Sequence, residues 1–152
     1  MKKLFTVLVA AFSTLAHSDG LIVPTEVPML ALSLIGTPYR LGGNQPETGL
    51  DCSGLVNHVY LQAANLQLPR DTAALSQFGH AIEKSGLQAG DLVFFNTLDH
   101  AFSHVGIYLG DDRFIHASSS ASGGVMLSSL ASPYWAEHFD GARRVLEPGT
   151  PE

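Results

Sequence analysis

The chain is poor in cysteine, in charge and in long apolar runs. Cysteine occurs once, at position 52, so an internal disulfide cannot form and a Cys-built zinc cluster is excluded. Charged side chains make up 14% of the 152 residues, too few for a disordered chain. The scarcer sign is positive: 8 Lys and Arg stand against 14 Asp and Glu, a formal net charge of −6. That balance lacks the basic footprint of a nucleic-acid binder. The N-terminal apolar stretch "LFTVLVAAFSTLA", residues 4–16, is shorter than the about 20 residues of a transmembrane helix. Internal repeats and low-complexity tracts are also missing.

What is present reads as one globular domain. Hydrophobic residues are 45% of the chain, and its length allows a real core. Lys2 and Lys3 precede the apolar stretch, with Thr14 and Ala16 at the −3 and −1 positions of a cleavage site. A secretory signal peptide is expected over residues 1–16. Its removal would take two positive charges, Lys2 and Lys3, and change the net charge from −6 to −8. A linker follows over residues 17–27, then the domain over 28–147 and a loose tail over 148–152. In an oxidising compartment an odd cysteine is a buried packing residue, an intermolecular link or a reactive thiol.

The period of the apolar residues changes along the chain. Residues 29–35 predict a short helix stopped by Gly36 and Pro38, and residues 37–50 a loop rich in Gly, Pro and Asn. Asp51 is a helix N-cap, and Leu55, Val56, Val59, Tyr60 and Ala63 recur at helical spacing behind it. A second short helix is predicted over residues 72–82. From residue 91 onward, "DLVFFN", "HVGIYLG", "RFIHAS", "VMLSSL" and "ARRVL" read as strands between turn residues. Helices first and strands later predict an α+β domain with an antiparallel sheet.

Cys52 stands at the start of the predicted helix. The positive end of the helix dipole lowers a thiol pKa, and helix-start N–H groups can donate to an oxyanion. A nucleophile needs a base and an orienter. In "SHVGIYLG", His104 shares a face with Gly106 and Tyr108; in "RFIHAS", His116 shares one with Phe114. A three-residue hairpin loop over 110–112 would set Leu109 opposite Arg113 and bring both histidines to one face. An even loop without a bulge would separate them. Gly106 leaves room for another element, such as the start of the cysteine helix. His58 points away along its helix, His80 and His138 read as surface residues, and His100 could flank the site. Spacing alone leaves open that His104 and His116 are ordinary strand residues.

Six motifs in order, "GTPYRLGG", "DCSGLV", "LPRDT", "GDLVFF", "HVGIYLG" and "FIHA", together resemble the NlpC family of papain-like cysteine peptidases. "PYW" and "GARRV" fit the same pattern, and the resemblance covers about residues 28–146. It implies a papain-like α+β fold, with N-terminal helices packed on a central antiparallel sheet of about five to six strands. It implies hydrolysis of peptide bonds in peptidoglycan stem peptides, at γ-D-glutamyl–diamino acid or cross-link bonds, without metal or cofactor. Cys52 matches the nucleophile, His104 the base and His116 the orienter. Tyr39 matches a tyrosine beside the nucleophile that helps hold the oxyanion. Asp51 and Ser53 match residues that help bind a substrate amine, and Arg70 matches a structural position. Leu41 stands where relatives often carry tryptophan. An exported, periplasmic or secreted monomer is expected, without a stable membrane span once the signal is removed. An amidase or acyl transferase with the same triad, or a non-catalytic wall-binding module, are the other readings.

Overall fold

The computed structural model describes residues 25–121 and 123–146. The expected signal peptide, most of the linker and the tail lie outside the described residues. The order of elements is α1 (Glu26–Ser33), β1 (Asn44–Gln45), β2 (Gly49–Leu50), α2 (Cys52–Ala64), α3 (Thr72–Leu75), β3 (His80–Ile82), a 3₁₀ turn (Lys84–Gly86), β4 (Leu92–Phe95), β5 (His104–Gly110), β6 (Arg113–Ser118), β7 (Gly124–Ser129), α4 (Pro133–His138) and β8 (Phe139–Arg144). Six strands form one antiparallel sheet in the order β3-β8-β4-β5-β6-β7.

The sheet is covered on both faces, and strand parity decides which residue goes where. Leu92, Phe94, Val105, Ile107, Ile115 and Ala117 pack with Leu55, Val56, Val59 and Tyr60 of α2 and with Val27 and Ala31 of α1. Val93, Phe95, Tyr108 and Phe114 face the other way, against Trp135 of α4 and Phe139. Helix α2 is the central support. Asp51 caps its start, and Asn65, with a left-handed φ of 51°, closes its end by donating to Leu61 O. One stripe of α2 is buried, so the position of Cys52 is set by the core beneath it.

Several elements differ from the sequence-based expectation. Helix α1 begins at Glu26, inside the expected linker. The helix predicted over 72–82 ends at Leu75; Gly79 has a φ of 72°, and residues 80–82 pair with β8 instead. The positive φ of Gly79 ends the helical path, and the sheet edge takes up the backbone groups of residues 80–82. The loop 37–50 contains the β1–β2 hairpin, and Tyr39 bridges Leu50. Helix α4, over "PYWAEH", had no predicted counterpart.

The β5–β6 hairpin reaches the expected parity by another route. The turn has two residues, Asp111 and Asp112, with φ of 52° and 58°, a pattern of type I′ turns. Gly110 pairs with Arg113, and a bulge at Leu109 restores Tyr108 opposite Phe114 and Ile107 opposite Ile115. The expected three-residue loop is thus a tight turn plus a bulge. Gly106 makes room for β6, not for the cysteine helix: a Cβ there would stand 2.8 Å from Ile115 O and 3.3 Å from His116 Cβ.

Candidate active site

The site is assembled where the start of α2 meets β5 and β6. Asp51 shapes the first turn of α2. Its Oδ1 accepts from Gly54 N at 2.7 Å, and its Oδ2 from Gly42 N at 2.9 Å. Arg70 adds an ion pair at 3.0 Å and also donates to Ser53 Oγ and Gly43 O. The loop before α2 is thereby tied to the helix start. Gly54 permits this close seat, since a Cβ there would overlap Gly43 O. Asp51 and Ser53 are 8% and 5% exposed, and both are held by partners within the chain.

Cys52 is half-buried at this end of the core. The thiol departs from the expected lowering: its pKa is raised, first by burial and further by the negative charge of Asp51. Backbone N–H groups of Val105, Ser53 and Cys52 itself pull in the expected direction and are outweighed. The helix start does act on the sulfur, but the carboxylate that caps the helix and the loss of water oppose it. At neutral pH the resting group is a thiol surrounded by N–H donors. Val105 lies two residues before Ile107, where the β5–β6 pairing with Ile115 ends.

Val105 also places Cys52 beside the histidine strand, because His104 precedes it on β5. His104 Nε2 lies 2.9 Å from His116 Nδ1, and His116 Nε2 lies 2.8 Å from Ser128 Oγ on β7. The rings of the two histidines meet edge to face, 5.0 Å apart. Trp135 covers them from α4, stacked on His104 at 5.7 Å and edge-on to His116 at 4.9 Å. Burial lowers the pKa of His104 to about 4 and, with the neighbouring His104, that of His116 to about 3. Both rings are neutral at pH 7, each with one N–H.

Tyr39 completes the cluster. Burial raises its pKa, with additional pressure from Cys52 and Asp51, so its hydroxyl stays protonated and able to donate. The other described histidines stand apart from this relay. His58 lies farther along α2, His80 is exposed on β3, His100 is exposed in the loop before β5, and His138 ends α4 with Nδ1 2.6 Å from Tyr134 O. Among the described residues there is no group of three or more His, Cys, Asp or Glu placed to hold a metal ion. No helix among them is long and apolar enough to cross a membrane.

A thiol held by N–H groups at a helix start and at Val105, with Val105 following one member of a hydrogen-bonded pair of neutral imidazoles, is an arrangement that could support acyl transfer. The NlpC/P60 family model matches residues 36–144. The chain belongs to the NlpC/P60 family. Murein DD-endopeptidase MepH of Escherichia coli (strain K12) is 41% identical over 147 residues, which is 93% of this chain and 54% of the relative. Murein DD-endopeptidase MepS/Murein LD-carboxypeptidase of the same strain is 43% identical over 111 residues, 73% of this chain and 57% of the relative. This NlpC/P60 chain thus spans about half the length of these relatives. A crystal structure of an NlpC/P60 family protein from Bacillus cereus ATCC 10987 superposes with a TM-score of 0.74 at 32% identity, covering 82% of this chain and 40% of the other.

Two side chains of this NlpC/P60 site lacked a reading from sequence. Trp135 sits in a six-residue helix too short to show a period. Ser128 is one of two adjacent serines in β7; only the pairing of Phe114 with Ser128 brings it beside His116. "PYW" was a signal for the first of these. The second had none.

Proposed function

We propose that the chain is a cysteine peptidase that hydrolyses amide bonds in peptidoglycan stem peptides. The observation that carries this is the His104–His116 hydrogen bond at 2.9 Å on the strand that also faces Cys52. Names of the relatives support the substrate: two are murein hydrolases.

The chemistry follows from the arrangement. His104 Nε2 is engaged by His116, which leaves Nδ1 to take the Cys52 proton. As the sulfur attacks a carbonyl carbon, the S–C bond forms and the proton passes to Nδ1. Negative charge develops on the carbonyl oxygen, where helix-start N–H groups and the Tyr39 hydroxyl can receive it. The His104 proton then goes to the leaving nitrogen, the C–N bond breaks, and a thioester remains. Water, deprotonated by His104, hydrolyses that thioester. His116 holds the base in orientation and tautomer, the role of the third member of a triad. Asp51 and Ser53 act in this reading mainly by holding the first turn of α2. A substrate ammonium would have to compete with Arg70 for the Asp51 carboxylate.

The bond between cross-linked stems is the favoured target, since both murein relatives above are named DD-endopeptidases. Such a substrate requires that the chain be exported, as the N-terminal sequence suggests. The γ-D-glutamyl–diamino acid bond is the second reading. The test is incubation with purified peptidoglycan followed by mass spectrometry. Conversion of dimeric to monomeric muropeptides supports cross-link cleavage. Stems cut at the diamino acid support the second reading, and whole stems released from the sugar would reassign the protein as an amidase. Cys52→Ala should abolish fragment release; release at the wild-type rate would overturn the mechanism. Sedimentation with cell walls and no fragments from the wild type would leave a binding module.

A further inference from the structure

His116 is almost wholly enclosed, at 1% exposure, yet both its ring nitrogens are engaged. The second contact, to Ser128 Oγ, has no part in the triad described above. Ser128 is half-buried on β7, diagonal to His116 across the β6–β7 ladder, in which Phe114 pairs with Ser128 and His116 with Met126. Ser128 Oγ has no other side-chain partner among the described hydrogen bonds.

The contact matters because the chain of bonds has a direction. Each neutral imidazole has one N–H and one bare nitrogen, and a bond between two ring nitrogens needs one of each. Two arrangements satisfy this. In the forward arrangement His104 Nε2–H donates to His116 Nδ1, His116 Nε2–H donates to Ser128 Oγ, and His104 Nδ1 is bare. In the reverse arrangement Ser128 donates to His116 Nε2, His116 Nδ1–H donates to His104 Nε2, and His104 Nδ1 carries the hydrogen. Only the forward arrangement can accept the Cys52 proton. Which nitrogen of a histidine is protonated is set by the hydrogen bond the other makes.

We propose that Ser128 is a positioning residue that receives His116 Nε2–H and thereby holds His104 in the tautomer that serves as base. This rests on the proposed peptidase mechanism. No proton travels along the relay during a turnover. Cys52 gives its proton to His104 Nδ1, and the His104–His116 and His116–Ser128 bonds keep their hydrogens. Without the hydroxyl, the forward arrangement buries an orphan N–H, while the reverse one leaves only a bare ring nitrogen. Orphan buried N–H groups are the rarer of the two in proteins, so the reverse arrangement gains.

The experiment uses the full chain labelled with ¹⁵N and long-range ¹H–¹⁵N correlation spectra of the histidine rings, alongside kinetics on muropeptides. The wild type should show both His104 and His116 as Nε2–H tautomers. Ser128→Ala should shift His104 toward Nδ1–H and lower kcat by roughly tenfold with KM unchanged, well short of the ~10⁴ that a wrong tautomer costs in a serine protease. Ser128→Thr keeps the hydroxyl and should restore both the tautomer and kcat to within about twofold, by the same hydrogen-bond rule. A wild-type His116 found as Nδ1–H, wild-type tautomers and kcat in Ser128→Ala, or the same loss in Ser128→Thr would each overturn the proposal. The spectra need no substrate. If the wild type releases no muropeptides, the peptidase reading fails while the role of Ser128 in the tautomer is still read.

Discussion

At the scale of single residues, the site runs on neutral groups. Cys52 is a thiol whose pKa burial raises, and His104 is an imidazole whose pKa burial lowers to about 4. A base works only when it is unprotonated, so kcat/KM should be sustained above the His104 pKa and fall as pH drops through about 4. Trp135 is the main cover over that ring, stacked at 5.7 Å. Trp135→Ala admits water and removes the desolvation that holds His104 down. The acid limb of kcat/KM should then move upward, toward the ordinary histidine value of about 6.5. Trp135→Phe, which keeps a flat apolar cover, should move it less. An unmoved limb in Trp135→Ala would mean that another group sets the pKa. The place of Cys52 at a helix start was legible from its Asp51 cap, and the shared face of His104 and His116 from strand parity; their roles came from the family resemblance. The sense of the thiol shift was not legible: the Asp51 cap was visible, but the burial that outweighs the dipole depends on how residues 42–51 fold back on α2.

At the scale of elements, the site depends on β6 lying close to β5 just before the two strands part. Gly106 is the residue that allows this. A Cβ would stand 2.8 Å from both Ile115 O and Phe114 Cδ2. The first is backbone and cannot step aside without moving β6, which carries His116. Gly106→Ala should therefore lower stability by about 1–3 kcal/mol, as overpacked sites do, and reduce kcat by a larger factor than its effect on KM. Chemical denaturation and muropeptide kinetics read the two effects. A fully stable, fully active Gly106→Ala would show that β6 tolerates the shift and that the His104–His116 spacing is not set here. The pairing itself was visible in the alternation of "HVGIYLG" and "RFIHAS". Its bulge at Leu109 was not, because a two-residue turn with a bulge and a three-residue loop give the same parity. β3 was hidden because its burial is shallow and its partner, β8, lies sixty residues away.

At the scale of the whole molecule, the relay links function to acid stability. Both histidines are neutral when folded and have depressed pKa values, about 4 for His104 and about 3 for His116. The unfolded chain binds protons at the ordinary histidine pKa of about 6.5, so between these values it binds more protons than the folded one. Stability must then rise with pH across that window. The contribution is complete above about 6.5 and is lost as pH falls through the folded values. For the enclosed His116 its size is on the order of a few kcal/mol, from about 1.4 kcal/mol per pKa unit. Neighbours can carry part of this slope, and a variant separates them. His116→Gln retains an amide able to bond His104 but does not titrate. Thermal unfolding of the wild type should show Tm falling steadily from pH 7 to pH 4, with a shallower fall in His116→Gln. Equal slopes would mean that the acid sensitivity arises elsewhere. A site built this way keeps an imidazole free of protons by enclosing it. The enclosure that keeps His104 neutral also makes the fold yield first on the acid side.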